Sequence, residues 1–308
     1  MVKLGTSGAT ALGCIAILFW SGLALLTVKA HGLPPFELLS LSFGVAFLAG
    51  LVMLGLRGKR ALARLRQPIL PWITAFLGLF LYHALYFFAL ATIPPAHASL
   101  IAYLWPLLIV VLSSMLPGGE GLRLRHLAGA GLGLVGTALI LTGHGSSNTV
   151  STGLTTLRDL GYLAAFGCAI VWSGYSVLNR RFASIPSEML VGVCAAVAFA
   201  GGATHLALEP TIWPDAQQWG AILLLGIGPT GLAFLLWDYA TKHGNLPVLG
   251  ALSYFAPLLS TLLLVCAGDA KANMVLGLSA CSIVGGAALA SWKSKRPVSR
   301  LHLKKMGR

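Results

Sequence analysis

The sequence predicts an all-α polytopic membrane protein, with ten transmembrane helices arranged as two inverted five-helix repeats. Three observations predict it. Hydrophobic residues make up 57% of the 308, and charged residues only 9%, against about a quarter charged in a soluble globular chain. The apolar residues are gathered into runs of roughly 20, the length a helix needs to cross about 30 Å of hydrocarbon at about 1.5 Å per residue. Short motifs then recur, in the same order, in the two halves of the chain.

Taken in order, the first run is Gly8 to Lys29. It has full spanning length, no small-residue cleavage site with a polar region behind it, and nine similar runs after it, so it reads as a membrane helix rather than a leader. The second run, Pro34 to Leu56, is closed by the basic stretch Arg57 to Arg66. The third, Leu70 to Ala91, starts beside Trp72 and carries Tyr82, His83 and Tyr86 near its centre; Tyr82 and Tyr86 share one helix face. The fourth, Ala96 to Pro117, contains Tyr103-Leu104-Trp105-Pro106-Leu107-Leu108, and the fifth is Leu124 to Gly143. A stretch rich in Ser, Thr and Gly follows, so residues 1–145 form a first repeat and 146–156 a linker. The sixth run, Leu160 to Arg181, sets Trp172, Tyr175 and Asn179 on one stripe. The seventh is Pro186 to Leu206, and the eighth, Gln218 to Thr241, holds Asp238, an acid inside a span. The ninth, Pro247 to Ala267, and the tenth, Ala272 to Trp292, complete a second repeat over 157–292, ahead of a basic tail at 293–308. Trp72, Trp213, Trp219 and Trp292 fall at span ends, where aromatic belts form.

The formal charge of +13 is distributed by topology: all of the 21 Lys and Arg except Lys29, Arg158 and Lys271 lie on one side. The positive-inside rule places that side, and with it both termini, in the cytoplasm. Basic segments beside anionic lipid account for Arg57 to Arg66 and the tail without any nucleic-acid partner. The five cysteines all lie in apolar runs with no metal-type spacing, as small packing residues do.

The repeat is internal and odd. Trp20-Ser21-Gly22 recurs as Trp172-Ser173-Gly174, the YxxPLL of Tyr103 to Leu108 recurs at Tyr254-Phe255-Ala256-Pro257-Leu258-Leu259, and Leu134 to Ile140 resembles Ile283 to Leu289. The offset stays at about 150 residues. Five crossings per half force the second half to enter from the opposite face, and such inverted repeats give alternating access around a site near the bilayer midplane.

That midplane is aromatic and poor in charge. Trp20, Tyr82, Tyr86, Tyr103, Trp105, Trp172 and Tyr254 fall near span centres, where their polar atoms need partners; internal packing or a substrate cavity would supply them. Pro106 and Pro257 interrupt the fourth and ninth spans, act as hinge candidates, and leave the carbonyls of Ala102 and Ser253 as expected free acceptors. His83 is the central group whose charge changes near neutral pH, a candidate to carry a proton or bond substrate, although a neutral structural histidine fits the same place. Asp238 lies four residues before Lys242, which suggests a pair at the interfacial end of the eighth span. No Lys or Arg is expected deep in a span, which disfavours a polyanionic substrate and suits a neutral or zwitterionic molecule with an aromatic or apolar side chain, or an organic cation.

On these residues the whole chain resembles the drug/metabolite transporter superfamily, EamA type. Ala16 to Gly22 and Ser99 to Leu108 look closest to the bacterial YddG-type aromatic amino acid exporters. The resemblance implies a secondary transporter that exports phenylalanine, tyrosine, tryptophan and analogues across the inner membrane by a proton-linked or facilitated route. In that reading Trp20, Tyr82, His83, Tyr86, Ser99, Tyr103, Trp105, Trp172, Ser253 and Tyr254 line the cavity, and the chain works as a monomer in the bilayer, without cofactor or metal. Efflux of lipophilic cations or other small metabolites is the alternative; cation efflux calls for a buried acid, and Asp238 is expected too close to the surface to serve. An intramembrane enzyme or an ATP-driven pump would need paired carboxylates, HExxH, GxSxG or a Walker loop, and the sequence has none of them. A channel would also be compatible with an odd repeat.

Overall fold

The computed structural model describes residues 4–115, 124–143, 155–268 and 273–291. Among them every regular element is helical, the form in which a chain in hydrocarbon satisfies its own backbone hydrogen bonds. Among the described residues, eight helices are long and apolar enough to cross a membrane. They are α1 (Thr6–Lys29), α2 (Pro35–Leu56), α3 (Ile69–Thr92), α4, α6, α7 (Met189–Leu208), α8 (Ala216–His243) and α9 (Leu246–Ala267). The fourth, α4, comes in two pieces, Pro95–Ala102 and Trp105–Ser114. The sixth, α6, is Thr155–Leu178 continued by a 3₁₀ turn, Asn179–Phe182. Two further helices, α5 (Leu124–Gly143) and α10 (Met274–Ser291), pack along one another. Thr155 and Thr156, expected in the linker, already belong to α6; residues 146–154, the tail 293–308 and Trp292 lie outside the described residues.

The outer surface is as apolar as the core. Leu48, Val52, Phe199 and Leu206 are well exposed, a pattern that lipid tolerates and water does not. With no hydrophobic gain from packing helix on helix in lipid, close approach through small residues does the work. Gly50 sits against Val191, Gly201 against Leu39, and Ser40 donates to the Ala198 carbonyl at 2.8 Å, which packs α2 antiparallel to α7. Gly129 meets Gly286 and Ala290 while Gly136 meets Ile283, which does the same for α5 and α10. The α8 N-terminus carries a reciprocal cap, Asp215 accepting from the Gln218 N–H at 2.8 Å and Gln218 accepting from the Asp215 N–H at 2.8 Å.

Several helices are interrupted, and four of the interruptions form two pairs, while the break of α1 at Gly22 has no match in α6. A π turn occupies Leu77–Leu81 of α3, and another occupies Gly228–Leu232 of α8, at the spacing that separates Tyr103 from Tyr254. Such turns loosen the regular i→i−4 ladder and are frequent at functional sites. α4 breaks at Tyr103 and Leu104, α9 at Ser253 and Tyr254, each just before its proline. The kinks expected at Pro106 and Pro257 are therefore full breaks. Each proline sits in the first turn of the following piece, where no N–H is required. The expected free acceptor at Ser253 is corrected: its carbonyl takes the Ala256 N–H at 3.1 Å, because the broken chain closes a tighter turn there.

The two ends of the bundle differ. At the near end, that of Thr6, Leu4 N–H donates to the Tyr239 hydroxyl at 3.2 Å, the Asn245 N–H to Thr10 at 2.9 Å, and Arg180 to the Gly244 carbonyl at 2.6 Å. Arg64, in the short turn after α2, pairs with buried Glu188 at 2.5 Å. At the far end the Glu209 carboxylate accepts the first N–H groups of α2, from Phe36 at 3.1 Å and Glu37 at 3.2 Å. His205 bonds that carboxylate at 3.0 Å and Thr211 at 3.0 Å.

Candidate functional site

Rings from five helices meet in the middle of the bundle. Trp172 of α6 is the hub: its centroid lies 5.6 Å from Trp20, 5.7 Å from Tyr82, 6.2 Å from Trp105, 5.4 Å from Tyr175 and 5.6 Å from Phe234. Trp237 of α8 closes the group at 5.1 Å from Trp20 and 5.8 Å from Trp105. A second row extends along α3, where Tyr82 stacks on Tyr86 at 6.1 Å and His83 meets Phe43 of α2 edge-on at 5.7 Å. Each edge-to-face or offset pair contributes about 0.5–1.5 kcal/mol beyond its buried area.

The polar atoms of these rings fall into two sets. Some are engaged: the Trp20 indole N–H donates to the Pro229 carbonyl in the α8 π turn at 3.1 Å, Tyr86 and Ser99 share a hydrogen bond of 2.8 Å, and the Trp237 N–H donates to Ser176 at 3.1 Å. His83 Nδ1 lies 2.6 Å from the Leu79 carbonyl, an acceptor, so Nδ1 carries the proton and Nε2 remains open. Others have no partner among the described residues, namely the Tyr82 and Tyr103 hydroxyls and the indole N–H groups of Trp105 and Trp172; with His83 Nε2 they are not sealed off. A centre walled by ring faces and dotted with unengaged polar atoms suits a flat aromatic molecule that carries polar ends.

Of the residues expected from sequence, the structure brings together Trp20, Tyr82, His83, Tyr86, Ser99, Trp105 and Trp172, and Tyr103 stands half-buried at the α4 break. It does not bring in Ser253 or Tyr254. Ser253 is buried and turns its hydroxyl back to the Leu249 carbonyl at 2.7 Å. Tyr254 is fully buried in a separate apolar group with Val110, Leu258 and Ile283, pressed on Gly133 of α5. Phe43, Phe234 and Trp237 enter the cluster without having been singled out; their being rings inside spans was the available signal.

The expected pair of Asp238 and Lys242 forms at the near end of α8, and the structure adds that it is part of a buried network, with Asp238 at 0% and Lys242 at 3% exposure. Lys242 Nζ is 2.7 Å from Asp238 and 3.0 Å from the Ile185 carbonyl. Across from α6, Asn179 donates to Asp238 at 2.9 Å and to Thr241 at 2.9 Å, and the Tyr175 hydroxyl donates to Asp238 at 3.2 Å. With its lone pairs taken, Asp238 is no open counter-charge for a cation. A cavity of about 240 Å³ does occur at the far end, lined by Glu37, His205, Thr211, Trp213 and Trp219, away from the ring cluster.

Comparison with known proteins agrees with this picture. The profile of the EamA-like transporter family matches twice, over residues 8–142 and 159–292. The chain is 46% identical over 293 residues to the aromatic amino acid exporter YddG of Ancylobacter novellus, covering 95% of this chain and all of that one. It is 25% identical over 299 residues to the aromatic amino acid exporter YddG of Escherichia coli K12, covering 94% and 98%. A crystal structure of a protein 46% identical superposes with a TM-score of 0.86 over 93% of this chain and 97% of that chain.

Proposed function

The chain belongs to the EamA-like transporter family, and from that premise we propose that it exports aromatic amino acids across the bacterial inner membrane by alternating access. The observation that carries the reading is the ring cluster around Trp172, with unengaged polar atoms and no free charge, in a chain 46% identical to a protein named for that transport. A phenyl, phenol or indole side chain would stack on Trp172, Tyr82 and Trp105, while the open hydroxyls, indole N–H groups and His83 Nε2 would meet the ammonium and carboxylate.

Alternating access follows from the repeat reading. α5 and α10 also cross, which makes ten helices, and α1 and α6 run oppositely: Thr10 joins Asn245 at the near end, where Asn179 also lies, while Tyr162 joins His97 at the far end. The paired π turns and paired breaks are then repeat-related elements of two inverted halves, 1–145 and 157–292. The Lys and Arg distribution puts the near end, with both termini, in the cytoplasm. A single chain builds the whole centre and serves as the transporting unit; a proton gradient is the coupling source to test, with His83 as its carrier.

The test is flux of labelled phenylalanine and tryptophan in proteoliposomes, with and without a pH gradient. Flux above that of empty vesicles is expected, and its absence refutes the proposal. Competition by quaternary ammonium compounds would favour cation efflux instead; the occupied Asp238 carboxylate speaks against that outcome.

A further inference from the structure

The two gates that an inverted repeat implies are not chemically alike. At the near end α6 meets α8 through Tyr175, Ser176 and Asn179 on one side and Trp237, Asp238 and Thr241 on the other, joined by the hydrogen bonds given above. The spacing from Trp20 to Trp172 maps Tyr175, Ser176 and Asn179 onto Leu23, Ala24 and Thr27 of α1. That from Tyr103 to Tyr254 maps Trp237, Asp238 and Thr241 onto Tyr86, Phe87 and Leu90 of α3. The mirrored far-end positions therefore replace a carboxylate, an amide and a phenol with Phe87, Thr27 and Leu23. Exposure follows the chemistry: Tyr175 and Asn179 are each 4% exposed, whereas Leu23 is 37% exposed and Phe87 half-exposed. The α1 piece after Gly22, Leu23–Lys29, packs on α8 and α9.

We propose that the α6–α8 network is a polar latch on the near-end gate, with no counterpart at the mirrored positions of α1 and α3, so that the substrate-free protein rests closed at the near end and open at the far end. Tyr175 and Asn179 are the positioning residues. Their bonds to Asp238 cross from one helix to the other, whereas Asp238 and Lys242 share α8 and stay paired in either state. Parting α6 from α8 removes the donors from a buried carboxylate, a loss that the apolar far-end contacts do not mirror when they part. Two states that would otherwise be close in free energy are thereby biased toward one. The inference rests on the alternating-access part of the proposed function and not on the identity of the substrate.

Hydrogen exchange of the substrate-free protein in nanodiscs tests it. Tyr175→Phe removes one hydrogen bond to a charged group and keeps the volume, and Asn179→Leu removes the amide; each should speed exchange in the near-end segments 175–182 and 237–243 by about 10- to 100-fold. In the same variants the far-end segments 23–29 and 86–92 should become more protected, because opening one gate closes the other. Tyr175→Phe alone decides the matter if Asn179→Leu fails to fold. Faster near-end exchange without gained far-end protection marks a merely structural network and overturns the latch, as does unchanged exchange at both ends. No substrate enters the measurement, so an absence of amino acid flux would leave its result standing.

Discussion

Replacing tryptophan by phenylalanine at the two repeat-related indoles should give opposite results. The Trp20 N–H bonds the Pro229 carbonyl at 3.1 Å, and the Trp172 N–H has no partner among the described residues. Trp20→Phe keeps a ring against Trp237 and Phe234 but strips that carbonyl of its donor, and leaving a buried polar group unpaired costs about 1–3 kcal/mol of stability. Trp172→Phe keeps a ring at the hub and removes a donor the folded protein does not use, so stability should change little. In the proposed function that donor serves the substrate, and losing a hydrogen bond of about 0.5–1.5 kcal/mol should raise KM about 2- to 12-fold. Thermal unfolding in detergent and concentration-dependent tryptophan uptake in proteoliposomes read the two quantities. If both variants unfold equally early, or if Trp172→Phe transports with unchanged KM, the division into engaged and open indoles is wrong.

Other perturbations give equally direct readouts. Tyr82→Ala or Trp105→Ala should cut amino acid flux while folded protein, measured by monodisperse elution, is kept; normal flux in both would remove the ring cluster as the site. Lys242→Met leaves Asp238 buried without its cation and should destabilise by about 3–5 kcal/mol, whereas Lys242→Met combined with Asp238→Asn should recover most of the loss in the unfolding temperature. Gly50→Val drives a side chain into Val191 at the α2–α7 contact, and the strain should cost about 1–3 kcal/mol in the same assay.

Much of the fold was legible because hydrocarbon imposes one solution on the backbone. Runs such as Pro34 to Leu56 had to be helices, and the duplicated YxxPLL announced that α4 and α9 would break alike, at Tyr103 and at Tyr254. Helix orientation was less legible. In a soluble helix the polar stripe shows which face is out, but here the outside is as apolar as the core, so the sequence gives no contrast between a ring facing the centre and one packed elsewhere. Tyr254 looked equivalent to Tyr103 and yet lies against Gly133, while Phe43 and Phe234, plain apolar residues in the sequence, face the centre.

Asp238 shows the same division in charge. Spacing alone revealed its pair with Lys242 on one helix turn, because i and i+4 contacts are local. Only the tertiary packing brought Tyr175 and Asn179 of a distant helix to the same carboxylate and buried it. By itself the sequence determined that the chain spans a membrane and that its halves repeat, since both depend on length, composition and order. The tertiary structure decided which rings meet, which polar atoms stay open and which charges are buried, since those depend on how helices rotate against one another in a medium that does not favour one face over another.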